Sequence, residues 1–143
     1  LTISYNRLGS NGRLGNQMFQ YASLRGIAAY NGYEWMIPPD DVSHRDNYGL
    51  FETFEMSHAK PENLDISNHR TVTENTHAFD EGLFYTKDNV NIDAYLQTEK
   101  YFIHIADQIR EDFTFKKEYL EPCQEYISSL DSPPIFLHIR QSD

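Results

Sequence analysis

Thr2-Ile3-Ser4-Tyr5-Asn6-Arg7-Leu8, then Gly9-Ser10-Asn11-Gly12-Arg13-Leu14-Gly15, then Asn16-Gln17-Met18-Phe19 decide the fold. The first run alternates around Ile3 and Tyr5 and reads as a short strand, Thr2 to Leu8. The second is a glycine-rich loop. Asn16 is suited to cap a helix, because its amide oxygen can accept from the free N–H groups of a first turn. Met18, Phe19, Ala22, Gly26 and Ala29 follow as an apolar, small-residue stripe at helical spacing, and Asn31-Gly32 offers a left-handed stop. Tyr33 to Ile37 reads as a second strand, ended by Pro38-Pro39. Strand, glycine loop, helix, strand is the opening of a doubly wound α/β sheet.

Outward from this unit the pattern is less regular. From Asp40 to about Asp88 the chain is polar, with isolated aromatics such as Phe51, Phe54, Phe79, Phe84 and Tyr85, and predicts loops and short strands. Hidden elements are expected there, because a structureless loop of that length is unusual in a compact domain. Asn91 to Leu96 reads as a strand. Thr98 then caps a predicted helix with Phe102, Ile105, Ala106, Ile109 and Phe113 on one face. A second predicted helix carries Leu120, Cys123, Ile127 and Leu130, with Pro122 in its first turn. Asp131-Ser132-Pro133-Pro134 breaks the pattern, and Ile135 to Arg140 alternates as a final strand.

Composition narrows the function. The formal net charge of −10 argues against a long polyanion as partner, since nucleic-acid binding depends on clustered Lys and Arg. A small anion needs only a few well-placed positive groups and backbone N–H donors. The lone Cys123 forms no internal disulfide and builds no cysteine zinc site, which fits a reducing compartment. His44, His58, His69, His77, His104 and His138 show no metal-ligand spacing, so no metal is expected. No apolar run reaches the ~18 residues of a membrane span, and no leader pattern is visible at Leu1 to Asn6. The localisation expected is therefore cytoplasmic or peripheral to a membrane.

Two segments carry candidate chemistry. Gly12 and Gly15 allow a tight turn and close approach of a ligand, and the following helix points free N–H groups and its positive dipole end at that space. Arg13 and Asn16 add side-chain donors. The spacing is neither a dinucleotide fingerprint nor a Walker loop, and a purely structural turn is the competing reading. In the final strand His138 and Arg140 share one face, with Arg140 at the carboxyl end, where α/β sheets bind ligands. An arginine there can grip a phosphate with two parallel hydrogen bonds; a solvated arginine, or one paired with Asp143, is the alternative. The aromatics can stack on sugars, but Trp35 lies within a predicted strand and suits core packing equally.

Read together, these segments resemble glycosyltransferase family 11, the α-1,2-fucosyltransferases. Gly12-Arg13-Leu14-Gly15-Asn16-Gln17-Met18-Phe19-Gln20-Tyr21-Ala22 is similar to the signature that opens that family. Tyr95-Leu96-Gln97-Thr98-Glu99-Lys100-Tyr101-Phe102 resembles its central Gln-Ser-Glu-Lys-Tyr-Phe segment, and Ile109-Arg110 through Phe113-Thr114-Phe115 the stretch after it. His138-Ile139-Arg140-Gln141-Ser142-Asp143 resembles its His-x-Arg-Arg-x-Asp motif, with Gln141 in place of the second arginine and Ser142 in place of the usual glycine.

The resemblance implies an α/β fold: the Rossmann-like N-terminal half of a GT-B-type glycosyltransferase, truncated at the start of the second half. Residues 1–131 would form the N-terminal domain, and 132–143 the linker and first strand of a donor-binding domain. The implied donor is GDP-β-L-fucose and the implied acceptor a galactose-terminated glycan, fucosylated at its 2-hydroxyl with inversion and without a metal or other cofactor. Arg140 would hold the β-phosphate, His138 would sit beside the nucleotide, and Gly12, Arg13, Gly15 and Asn16 would face the donor across the cleft. Asp143 would orient the turn or the arginine. As general base Asp143, Asp40 and Asp41 remain equal alternatives. Residues 1–143 alone are expected to have little activity, and a eukaryotic full-length protein would sit at the Golgi membrane. The competing functions are a non-catalytic or degenerate sugar- or nucleotide-binding domain, and a transferase using another activated sugar.

Overall fold

Four short strands run parallel in one sheet, in the order β2-β1-β4-β3. They are β1 (Thr2–Ser4), β2 (Glu34–Met36), β3 (Arg70–Thr73) and β4 (Val90–Asp93). The computed structural model describes residues 1–40, 48–61 and 68–141. Parallel pairing requires a crossover after each strand. The first crossover is α1 (Leu14–Asn31), which returns the chain from β1 to β2 in register Thr2↔Glu34, Ile3↔Trp35 and Ser4↔Met36. On its other side β1 pairs with β4, so the strand order turns back between β1 and β4. This arrangement is the mixed α/β, Rossmann-like class that the opening residues predict.

The inner strands have the composition of a sheet covered on both faces: Ile3, Ser4, Val90, Asn91 and Ile92 are all buried. Around them pack Tyr5, Leu8, Tyr21, Leu24, Ile27, Ile37, Leu83, Leu96 and Tyr101. Gly26 lets α1 approach the segment after β4. A Cβ there would collide with the carbonyl oxygen of Tyr101 and lie 2.7 Å from Phe102 Cα.

Several predicted boundaries move, each for a local reason. The first strand ends at Ser4 rather than Leu8, because Asn6 to Ser10 turns, with Ser10 N–H donating to the Arg7 carbonyl at 2.9 Å. The helix begins at Leu14, two residues before the expected cap. Gly12 takes φ 89°, Arg13 is extended as the capping residue, and Asn16 lies within the first turn. The buried face of α1 is wider than the expected stripe and shifted from it: Ala22 and Gly26 are buried and Met18 packs on the core as expected, Phe19 and Ala29 are exposed, and Gln17, Gln20, Tyr21, Leu24, Ile27 and Ala28 also face inward. The strand expected over Asn91 to Leu96 is β4, one residue earlier and ended at Asp93.

The helix expected after Thr98 is broken. Thr98 does cap, accepting from Lys100 N–H at 3.4 Å, but 3₁₀ turns over Glu99–Tyr101 and Ile103–Ile105 precede α3 (Ala106–Asp112). The close approach of α1 at Gly26 and the non-helical Phe102 (φ −136°, ψ 4°) interrupt it. The polar middle supplies α2 (Leu50–Thr53), β3 and a 3₁₀ turn over Glu81–Tyr85. The last helix is α4 (Lys117–Ser128); it starts before the expected point, so Pro122 lies inside it rather than in its first turn.

Ile135 to Arg140, expected as a strand, forms no ladder: Ile135, Phe136, Leu137 and Ile139 are exposed. A strand exists only where a neighbour takes its N–H and C=O groups, and none of the described strands pairs with it. Among the described residues no helix is long and apolar enough to cross a membrane.

Candidate functional site

Ligands of open α/β sheets bind beyond the carboxyl ends of strands, at the point where the strand order reverses. Here that point lies between β1 and β4. The chain leaving β1 forms the glycine loop, and the chain leaving β4 forms a tight turn at Tyr95 to Thr98. The two are tied together by Tyr5 Oη, which donates to the Ala94 carbonyl at 2.5 Å, and by Asn6 N–H, which donates to Asn91 Oδ1 at 2.9 Å. Burial pushes the Tyr5 phenol up to about 12, so it stays a neutral donor.

Beside the glycine loop opens a cleft of about 570 Å³, lined by Gly12, Arg13, Gly15, Asn16, His138, Arg140 and Gln141. The two segments singled out in the sequence therefore meet around one space, although the second is not a strand. His138 and Arg140, two residues apart, both face it. Leu14, Gly15 and Asn16 occupy the first helical positions of α1, whose N–H groups have no acceptor within the helix. These N–H groups, the helix dipole, Arg13, Arg140 and His138 make the cleft suited to an anion. None of the described residues lining it is acidic, in a chain of net charge −10.

The two glycines differ. Gly12 is required by conformation, and a Cβ on it would strike the amide of Asn16. Gly15 has nothing within 4 Å of where a Cβ would stand, so it keeps space in front of the helix end open.

Two buried glutamines, which the sequence presents only as members of the opening motif, hold this loop. Gln17 Nε2 donates to the Gly12 carbonyl at 3.1 Å, and Gln17 Oε1 accepts from Gly49 N–H at 3.1 Å. Gln20 Nε2 donates to the Asn11 carbonyl at 2.8 Å. Their signal was available: amides on the inward face of a buried helix must find partners. Gln97 of the central motif joins them, its Nε2 donating to Asn16 Oδ1 at 2.7 Å.

Asp40, a candidate base, is exposed and does not line the cleft. Asp41, His44, Ser142 and Asp143 lie outside the described residues. Trp35 is a packing residue on one face, where the Arg25 guanidinium sits 5.4 Å from its ring centroid. No group of three or more metal-ligating side chains forms among the described residues.

No family model and no solved structure matches the chain. The chain is similar to galactoside alpha-(1,2)-fucosyltransferase 2 of Sus scrofa, with 27% identity over 143 aligned positions covering 92% of this chain. It spans 40% of the length of that relative. A distant, partial relationship to a fucosyltransferase thus joins a Rossmann-like sheet and an anion-suited cleft at its switch point.

Proposed function

We propose that this chain is part of an inverting glycosyltransferase of GT-B type that moves L-fucose from GDP-β-L-fucose to the 2-hydroxyl of a terminal galactose. The observation that carries the reading is the cleft in which Arg140 and His138 meet the glycine loop at the N-terminus of α1. The similarity to a galactoside alpha-(1,2)-fucosyltransferase supports a fucosyl donor and a galactoside acceptor, and the GDP carrier rests on the resemblance of the motifs.

In that reaction the acceptor oxygen attacks the anomeric carbon from the face opposite GDP. The bond from that carbon to the β-phosphate oxygen breaks, and the hydroxyl proton leaves to a base. Negative charge grows on the departing phosphate. Arg140, Arg13 and the first N–H groups of α1 stabilise it, being oriented before the bond breaks. Gln141 removes one two-pronged grip from this set.

The test is GDP release from GDP-fucose by the full-length gene product with a galactoside acceptor, for wild type and Arg140→Ala. Turnover that falls about a hundredfold in the variant supports the assignment, the size expected for a lost transition-state donor. Absence of turnover with every galactoside removes the transferase reading, and intact turnover in Arg140→Ala removes the phosphate role. Gln141 favours one second reading, a degenerate domain that binds GDP without transfer; GDP binding without turnover would distinguish it.

A further inference from the structure

Leu96 is a buried, branched residue held at φ 55°, a left-handed conformation that such side chains rarely adopt. The turn around it is over-determined. Glu74 accepts from Tyr95 N–H at 3.0 Å and from Leu96 N–H at 3.3 Å, one carboxylate oxygen to each. Ser23 Oγ donates to the Leu96 carbonyl at 3.3 Å, and Thr98 N–H donates to the same oxygen at 2.8 Å. The next side chain, Gln97, is solvent-exposed. What the turn achieves is to deliver Gln97 Nε2 to Asn16 Oδ1, at 2.7 Å, on the rim of the cleft.

An asparagine amide is ambivalent: its oxygen attracts donors and its nitrogen attracts acceptors. Gln97 takes the oxygen. The nitrogen, Nδ2, is then left on the side of Gly12, where any Cβ would displace it. With Oδ1 engaged by Gln97, the amide group's donor is the end that lies beside Gly12, and both Asn16 and Gly12 line the cleft.

We propose that Gln97 is a positioning residue for the anion site: held by the Leu96 turn, it sets the Asn16 amide so that nitrogen rather than oxygen faces a diphosphate. The inference rests on the donor-site reading above, and it adds the turn after β4 to the segments that build that site.

A double-mutant cycle on the full-length gene product tests it, with GDP and guanosine titrated calorimetrically against wild type, Gln97→Met, Asn16→Ala and the double variant. Gln97→Met is expected to weaken GDP about fivefold, the size of one neutral hydrogen bond, and to leave guanosine binding and the melting temperature unchanged. In the Asn16→Ala background the same substitution is expected to have no effect. An equal loss in both backgrounds, or none in either, overturns the proposal, as does a loss of guanosine affinity equal to that of GDP. Arg140→Ala separates the two levels. If it abolishes GDP binding while Gln97→Met binds as wild type, Gln97 alone is wrongly assigned. If the wild type binds no GDP, both readings fall.

Discussion

Arg25 and Asp112 form an ion pair inside the protein, the arginine 6% exposed and the carboxylate closed to solvent. Asp112 also accepts the Tyr21 hydroxyl at 2.7 Å and the His58 backbone N–H at 2.7 Å, and Arg25 Nη2 donates to Gln108 at 2.9 Å. The pair thus ties α1 to the end of α3 and to the segment after α2.

Asp112→Asn keeps the shape but leaves a buried guanidinium without its counter-charge. The expected loss is about 3–5 kcal/mol of folding stability, the cost of breaking a buried pair from one side. Urea denaturation of wild type and variant measures it; a change under about 1 kcal/mol means that the site is wetter than its burial indicates.

Alkaline pH attacks the same core. The Tyr5 phenol, pushed up from 10.0 to about 12 by burial, holds its proton more tightly folded than unfolded. Its contribution is therefore complete below pH 10 and is lost as pH rises from 10 to about 12. Burial and the neighbouring Asp112 also raise the Tyr21 phenol, which adds to the loss in the same direction. Stability should fall by up to ~1.4 kcal/mol per pH unit for each such tyrosine. Tyr5→Phe should flatten the slope between pH 10 and 12 in chemical denaturation, and an unchanged slope would count against the assignment.

Gly26→Ala forces a methyl group into the backbone of Tyr101 and Phe102, which cannot yield as a flexible side chain would. A destabilisation of about 3 kcal/mol or more is expected, even though alanine is the better helix former. The midpoint of thermal unfolding reports it, and a neutral substitution would show that α1 can slide away from the turn after β4.

Gly15→Ala tests the cleft from the opposite direction. Nothing stands in the way of the added methyl, and alanine favours the helix, so stability should rise by roughly 0.5–1 kcal/mol. If a phosphate uses the space before α1, GDP affinity should fall about tenfold or more in the same variant, because the methyl hinders its approach to the helix N–H groups. Stability gained with affinity unchanged would remove that space from the site.

The opening unit was legible because its signals are local. Ile3 and Tyr5 alternate, Gly12 and Gly32 supply positive φ, and the apolar residues between them recur with helical period. The cleft residues of the glycine loop could be named for the same reason: a loop that feeds a helix start has its donors within a few positions. Boundaries slipped where a contact from far along the chain competed, as at Thr98, whose helix is broken where Tyr101 and Phe102 meet Gly26.

What the sequence by itself determined, then, was an α/β chain whose glycine loop opens a helix; it also put forward Arg140 and His138, which line the cleft beside that loop. Tertiary structure alone decided that β4 lies beside β1, that Asp112 answers Arg25, and that Gln97 reaches Asn16 across 81 residues. Periodicity and turn chemistry act over a few residues, whereas these pairings depend on loop closure and packing, whose partners carry no local mark.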